Sequence, residues 1–274
     1  MDAGNYCRDK AAPPGSSLYY ATLHLPPAQQ EAVIALQAWR AEIAEVLSEC
    51  TDPGLARIKL QWWREELDRT FTQKPRHPVA QALSPPIQRY GLPADVFHGV
   101  VDLHDREIDR PVYGSQADLD RAMADLGAWW RLCAQVCGAD AASLEAAQVL
   151  GRALELSDSV QDLRILAARG MARVSREELV AFGMELSQLV AQPASPEVRE
   201  FAALQVRRAQ DSLAHAVASL PRQDRRALLS LRILAAIHRA TLVEIERDGF
   251  RILEHRLSLT PVRKLWLAWI TRWF

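Results

Sequence analysis

The sequence predicts an all-α protein. Apolar residues recur at helical spacing along almost the whole chain, and alternating strand-like runs between turn residues are missing. Clusters of Pro, Gly and polar residues divide the chain into roughly ten helical segments. With 274 residues and 49% hydrophobic content, the chain can bury one core of ordinary size. We therefore expect a single domain over residues 1–274.

The composition narrows the range of partners. Lys plus Arg number 33 and Asp plus Glu 34, so the chain lacks the basic field with which nucleic-acid binders attract phosphates. Arg232 and Arg239 interrupt the longest apolar run, so it does not read as a membrane span. The four cysteines form no disulfide framework. We expect no nucleic-acid partner and a cytoplasmic protein, either soluble or peripheral at a membrane.

The two ends of the chain differ in pattern. Residues 1–15 are expected to be flexible. Residues 262–274 are expected to form an amphipathic helix, in which Trp266, Trp269 and Trp273 recur at i, i+3 and i+7 and basic residues flank them. That face suits a lipid headgroup layer or packing on the bundle, and both alternatives stay open. Between the ends, residues 73–115 carry the weakest helix signal and are expected to form short helices and turns.

The segment AWRAEIAEVLSE, residues 38–49, has an acidic stripe. Its carboxylates, Glu42, Glu45 and Glu49, lie about a quarter turn from the face that carries Ala41, Ala44 and Ser48. A helix rotation that brought the stripe inward would expose large side chains such as Trp39, at about 1.5–3 kcal/mol each. The stripe could be a rebuilt metal site, but we favour a solvated acidic flank.

A second acidic group lies further along the chain. Glu155, Asp158 and Asp162 fall within a narrow arc of one helix face. Three carboxylates so close would raise one another's pKa values unless a cation lies among them. Arg152 and Arg164 are candidates for that cation, as is a weakly held metal.

Four stretches resemble the squalene/phytoene synthase family in order and spacing. They are SSLYYATLHLPPAQQEAVIALQAW, KLQWWREELDRTFTQKPRHPVAQAL with YGLPADVF, LGRALELSDSVQDL and IERDGFRILEHRLSLTPVRKLWLAW. The resemblance implies a single-domain isoprenoid-synthase bundle with a deep central cavity. It also implies head-to-head condensation of two prenyl diphosphates, with Mg²⁺ held by two aspartate-rich helices.

The resemblance also shows where this chain departs from the family. The first family motif, DDxxD, falls on Ala44, Glu45 and Ser48, so two of its three carboxylates are missing. The second, roughly NxxRDxxxD, keeps Asp162 but has Leu166 at its last position. The family's GRxYLP follows as Gly170, Met171, Ala172, Arg173, Val174 and Ser175, which implies the loss of a phosphate contact and of a polar group near the reacting carbons.

The resemblance thus implies a degenerate Mg²⁺–diphosphate site. The expected site residues are Glu45, Glu155, Asp158 and Asp162, with Asp158 and Asp162 as the ligands of any weakly bound metal. The expected cavity-lining residues are Tyr20, Ala41, Ala44, Ser48 and Gln161.

Two functions follow from these departures. One is a non-catalytic accessory, assembly or lipid-binding protein with an unknown protein partner, similar to the family's complex I assembly relatives. The other is an active prenyltransferase with an altered Mg²⁺ site. We favour the first, because ionising an allylic diphosphate requires metals that neutralise the leaving group. No cofactor is certain, although Mg²⁺ is expected if the protein is active, and the ligand is a prenyl diphosphate or another lipid-like molecule.

Overall fold

The computed structural model describes residues 2–109, 112–191, 193–221 and 225–273. Within these ranges the chain forms thirteen α-helices, two short 3₁₀ helices and no β-strand. The α-helices are α1 Ala3–Ala11, α2 Ser17–Thr22, α3 Pro27–Glu49, α4 Pro53–Phe71, α5 Pro78–Tyr90, α6 Ala94–Ile108, α7 Gln116–Val136, α8 Ala141–Gln161, α9 Leu163–Ala168, α10 Arg176–Ala181, α11 Pro196–Ala218, α12 Leu229–Arg247 and α13 Pro261–Trp273. The predicted all-α fold class is confirmed.

An aromatic cluster joins three of these helices at the centre of the core. Trp39 of α3 stacks on Trp129 of α7, with ring centroids 5.2 Å apart, and both rings meet the edge of Phe97 of α6. All three side chains are buried. Rings of this size account for a large share of the apolar burial that stabilises a domain. The cluster therefore fixes α3 against α6 and α7 and orients the rest of α3.

Two glycines allow α7 and α8 to pack closely. A Cβ atom at Gly151 of α8 would lie 2.5 Å from Trp130 Cδ1 and 2.7 Å from the carbonyl oxygen of Gly127 on α7. No side chain fits at such distances. Because Gly127 and Gly151 have no side chain, the backbones of α7 and α8 can approach each other closely.

The N-terminal segment differs from the prediction. Residues 3–11 form α1, which packs on α3, and Cys7 is buried in this contact. The Tyr6 hydroxyl also donates a hydrogen bond of 2.7 Å to Glu42 Oε1. The segment 1–15, for which the sequence predicts flexibility, thus contains a helix at residues 3–11 that packs on the apolar and acidic surface of α3.

Residues 73–115 also differ from the prediction, since they contain α5 of 13 residues and α6 of 15 residues. Pro85 and Pro86 lie inside α5 and weakened its helix signal. The buried carboxylate of Glu66 holds the preceding turn by accepting hydrogen bonds from the backbone N–H groups of Arg76, at 2.5 Å, and His77, at 2.7 Å. A contact between Glu66 and the residues just before α5 thus stabilises the start of this helix. Such a contact cannot be predicted from the sequence of α5 alone.

The C-terminal helix α13 covers nearly the residues predicted for it. Its inner face buries Lys264 and Leu267 and packs against α12 and α2. Lys264 Nζ donates to the carbonyl oxygen of Gly15 at 3.2 Å. Over the described ranges, no helix has the length and apolar character needed to cross a membrane.

Candidate functional site

A cavity of about 730 Å³ lies between α3 and α8 and is closed by α1, α6, α9 and the segment after α9. Helix α3 contributes Ala41, Ala44 and Ser48 to its lining, and we call this surface the α3 wall. Helix α8 and its C-cap contribute Glu155, Asp158 and Asp162, and we call this surface the α8 wall. The central cavity that the fold class predicts is therefore present, and it brings together residues from both acidic segments.

The first carboxylate of the α8 wall is fully buried. Glu155 forms an ion pair with Arg40 of α3 and accepts a hydrogen bond of 2.8 Å from the indole Nε1 of Trp130. A buried carboxylate needs such partners because the interior does not solvate its charge. Arg40 thus provides the positive charge that a metal ion would otherwise supply to Glu155.

The next two carboxylates are only partly enclosed, since the side chains of Asp158 and Asp162 are 47% and 35% exposed. Enclosure of Asp158 by protein raises the pKa of its carboxyl group, and the neighbouring charges of Glu155 and Asp162 raise it further, while His238 lowers it. Desolvation also raises the pKa of Asp162 above its usual range, while Arg256 and Arg173 act in the opposite direction. The surroundings of both carboxylates therefore disfavour the ionised form relative to the protonated form.

Among the described residues, each of these two carboxylates has one basic group within 4 Å. His238 Nδ1 lies 3.7 Å from Asp158 Oδ1 and 3.1 Å from the Ser157 hydroxyl. Arg256 lies 2.9 Å from Asp162 Oδ1, but this ion pair is not aligned as a hydrogen bond. Arg256 comes from the segment between α12 and α13, far from Asp162 in sequence.

A second buried ion pair lines the cavity from α6. Glu107 Oε1 accepts hydrogen bonds from Arg173 Nε, at 3.1 Å, and from the Tyr113 hydroxyl, at 2.7 Å. Burial alone would raise the pKa of Glu107, but Arg173, His104 and these hydrogen bonds lower it to about 2. Burial, together with the Glu107 charge, also raises the pKa of Tyr113. Sequence reasoning missed Glu107 and Tyr113, although Glu107 lies on the apolar face of α6, where a charge requires a partner.

Arg173 stands at the position of the tyrosine in the family's GRxYLP pattern. Its guanidinium is part of the cavity lining, and the Tyr113 hydroxyl lies beside it on Glu107. A cation and a polar hydroxyl therefore remain at the cavity. The expectation that Met171 and Arg173 remove a phosphate contact and a polar group near the reacting carbons stays a prediction, and Tyr113 brings a hydroxyl to the cavity from a different loop.

The acidic stripe of α3 faces α1 instead of the cavity centre. Lys10 Nζ lies 3.1 Å from Glu42 Oε1 and also forms an ion pair with Glu45. Glu45 is at the edge of the cavity lining, whereas Glu42 is not part of it. The stripe is thus neither a rebuilt metal site that faces the cavity nor a fully solvated flank, because α1 covers part of it.

Several predicted residues lie elsewhere. Tyr20 and Gln161 are outside the cavity lining: Tyr20 meets Tyr19 edge to face, and Gln161 donates back to Ser157 on its own helix. Arg152 pairs with Asp120, at 2.8 Å, and Arg164 donates to the backbone of Glu254. The cations beside the α8 wall are Arg40 and Arg256, so the two arginines predicted from local spacing are not its partners.

The donor set does not fit a magnesium cluster. The lining holds five carboxylates, Glu45, Glu107, Glu155, Asp158 and Asp162, and five permanent cations, Lys10, Arg40, Arg169, Arg173 and Arg256. In the part of the chain that the structure describes, no group of three or more His, Cys, Asp and Glu side chains is arranged to hold a metal. Mg²⁺ requires free hard oxygen ligands in octahedral geometry, and most carboxylates here already pair with a cation.

Known proteins resemble this chain over all or part of its length. The profile of the squalene/phytoene synthase family matches residues 11–263. A presqualene diphosphate synthase from Zymomonas mobilis is 25% identical over 92% of this chain and 87% of its own length. NADH dehydrogenase (ubiquinone) complex I, assembly factor 6, from Rattus norvegicus is 25% identical over 43% of this chain and 36% of its own length.

Solved structures share the fold. A dehydrosqualene synthase in complex with a ligand superposes with a TM-score of 0.81 at 17% identity, covering 98% of this chain and 95% of that protein. A squalene synthase from Alicyclobacillus acidocaldarius superposes with a TM-score of 0.71 at 23% identity, covering 90% and 94%. Together with the profile match over nearly the whole sequence, these likenesses mean that the chain belongs to the squalene/phytoene synthase family.

Proposed function

We propose that this protein is a non-catalytic member of its family that binds a prenyl diphosphate or another anionic lipid-like ligand in the cavity and acts as an accessory or assembly protein. One observation carries the proposal: four of the five cavity carboxylates form ion pairs with Lys or Arg of the same chain. The pairs are Glu45 with Lys10, Glu107 with Arg173, Glu155 with Arg40 and Asp162 with Arg256.

The chemistry of the family explains why these pairs matter. When an allylic diphosphate ionises, negative charge develops on the leaving group, and mobile divalent cations held by carboxylates neutralise it. Here four of the five cavity cations are side chains already paired with carboxylates, and Arg169 is the one without an ion pair among the described residues. Little net positive charge is left to stabilise a departing diphosphate, so binding is favoured over turnover.

The cavity still suits an amphiphilic ligand. Apolar side chains, including Leu47, Leu166 and Met171, line part of it, and its volume is in the range of small-molecule sites. Arg169 and Arg256 are exposed members of the lining, and Arg169 makes no ion pair with any described residue. We assign the anionic headgroup to Arg169 and Arg256 and the apolar chain to the interior.

Calorimetric titration with farnesyl diphosphate tests this assignment. We expect the same affinity in EDTA and in excess Mg²⁺, because the headgroup contacts are protein cations. R169Q should weaken binding about tenfold, since a charge-assisted hydrogen bond is lost. R121Q, which removes an exposed arginine outside the cavity, should leave the affinity unchanged. Binding that requires Mg²⁺ would contradict the proposal.

The accessory role predicts a protein partner as well. The likeness to a complex I assembly factor covers less than half of this chain, so it supports the class of role and does not identify a partner. An active prenyltransferase with a reduced Mg²⁺ site is the alternative, favoured by the synthase relatives and by Asp158, which forms no ion pair with a Lys or Arg of the described residues. The product assay at the end of the Discussion separates the two functions.

A further inference from the structure

Helix α13 exposes an apolar face to solvent in addition to the face that it packs on the bundle. The exposed side chains are Val262, Leu265, Trp266, Trp269 and Trp273, whose exposed fractions are 78%, 49%, 56%, 61% and 67%. We call this set the tryptophan face. At about 100° per residue, the three indoles fall within roughly 60° of one another around the helix. A contiguous exposed apolar patch of this kind commonly marks a surface that contacts a partner or a membrane.

The charge around the tryptophan face is positive. Helix α13 contains Arg263, Lys264 and Arg272 but no acidic residue, although the chain as a whole has a net charge of -1. Arg263 is paired with Glu244 at 2.7 Å. Arg272 forms no ion pair among the described residues, and its Cζ lies 6.0 Å from the centroid of the Trp273 ring. The face therefore has an unneutralised cation at its C-terminal edge.

An apolar groove of about 360 Å³ opens beside this helix. Its walls are Leu213, Ala214, Val217 and Ala218 of α11, Arg232, Ala235, Ala236 and Arg239 of α12, and Ile270 and Thr271 of α13. Arg232 and Arg239 are its only charged residues, and neither forms an ion pair within the described ranges. Ile270 lies about 40° around the helix from Trp266, so the groove adjoins the tryptophan face.

The half-buried side chain of His24 lies in the same positive field. His24 has no hydrogen-bond partner for either ring nitrogen among the described residues. Burial, together with the charges of Arg272 and Arg226, lowers the pKa of His24 to about 4. Arg226 lies just before α12, so the positive surface extends from the end of α13 to the start of α12.

We propose that the tryptophan face and the adjoining groove form one lipid-binding surface that docks on an anionic bilayer. The indoles enter the headgroup layer, where tryptophan is favoured in membrane proteins, and Arg232, Arg239 and Arg272 contact lipid phosphates. The groove accepts part of an acyl chain. This surface is separate from the cavity and does not depend on the ligand proposed there.

The same features argue against a second copy of the chain as the occupant. In a symmetric dimer each patch meets itself, so the unpaired arginines of both copies would lie close together. Like charges brought into an interface oppose association. An anionic lipid surface offers the opposite charge, and its headgroup layer accepts the apolar body and the polar N–H of indole.

Vesicle co-sedimentation tests the proposal, with phosphatidylcholine vesicles compared with vesicles that also contain phosphatidylglycerol. We expect the protein to bind the anionic vesicles, and the variant W266S/W269S/W273S to bind about tenfold more weakly because its interfacial anchors are gone. The inner face of α13 is unchanged in this variant, so its melting temperature should stay close to that of the parent. I58S/V180S is the matched control, because it removes two exposed apolar side chains on other helices, 68% and 69% exposed, and should bind like the parent.

A second variant keeps the test independent of the tryptophans. R232Q/R239Q removes the charges of the groove and should weaken binding to anionic vesicles several-fold, with a smaller effect at high salt, where headgroup charge is screened. Equal binding of the parent and both variants would overturn the proposal. A dimer in gel filtration that the triple tryptophan variant converts to a monomer, without vesicle binding by the parent, would overturn it in favour of self-association.

Discussion

Helices α3 and α8 line the same cavity, but α3 contributes a single carboxylate, Glu45, whereas α8 and its C-cap contribute three. Ala41, Ala44 and Ser48 leave the α3 wall itself without a carboxylate that could hold a cation. Glu155, Asp158 and Asp162 make the α8 wall acidic, and two of the three pair with an arginine. The two walls are therefore unequal, with the negative charge concentrated on one of them.

The α8 wall shows how arginines can compensate carboxylates that face a cavity. Carboxylates that face a cavity need a compensating cation, because desolvation and mutual repulsion otherwise destabilise the folded state. Arg40 reaches from α3 to Glu155, and Arg256 reaches Asp162 from beyond α12. A fixed arginine neutralises a carboxylate but does not bridge it to a diphosphate as a metal does.

The largest expected effect comes from breaking the buried pair of the α8 wall. E155A leaves the Arg40 guanidinium, whose side chain is 17% exposed, without its buried partner and should lower the free energy of unfolding by about 3–5 kcal/mol. Urea denaturation measures this loss. The double variant R40M/E155L removes both charges and should recover most of the stability. A loss below about 1 kcal/mol in E155A would mean that the pair does not stabilise the α8 wall as described.

A smaller effect is expected from making the α3 wall resemble the α8 wall. Restoring aspartates at positions 44, 45, 48 and 166 should create Mg²⁺ ligands, so that Mg²⁺ stabilises the variant by about 2.7 kcal/mol at one hundred times its Kd. Thermal melts with and without Mg²⁺ measure the shift. Turnover need not return while Met171 and Arg173 remain. An equal Mg²⁺ shift in the unmodified protein would show that the walls already bind the ion.

The smallest effect concerns the carboxylate of the α8 wall that pairs with no arginine. The pKa of Asp158 is raised in the folded protein, so this group binds a proton more tightly in the folded than in the unfolded state. Its contribution to stability therefore falls as the pH rises from its unfolded pKa through its folded pKa. D158N should raise the melting temperature at pH 7 by about 1–3 °C and have a smaller effect at pH 4. A lower melting temperature at pH 7 would indicate that the Asp158–His238 contact is net stabilising.

Local sequence predicted the parts of the site that depend on helical periodicity. The positions of Ala41, Ala44 and Ser48 on one face follow from 3.6 residues per turn, as does the grouping of Glu155, Asp158 and Asp162. The all-α fold follows from the same periodicity. These predictions needed no knowledge of which helices meet.

The ion-pair partners could not be predicted in this way, since they depend on contacts between distant segments. Arg40 and Glu155 are 115 residues apart, and Arg173 meets Glu107 across 66 residues. Arg152 and Arg164 were better candidates by local spacing, but they point to Asp120 and the Glu254 backbone. Lys10 was missed because the segment that carries it was expected to be flexible, although it forms a helix on the acidic stripe of α3.

Product analysis tests the central claim most directly. The unmodified protein is incubated with radiolabelled farnesyl or geranylgeranyl diphosphate and either Mg²⁺ or Mn²⁺, and both the lipid products and released diphosphate are measured. If the α3 wall cannot complete a metal site and the arginines neutralise the α8 wall, no metal-dependent release of diphosphate is expected. Robust turnover to squalene, phytoene or their cyclopropyl intermediates, abolished by D162N, would contradict this account and make the α8 carboxylates ligands of a working metal site.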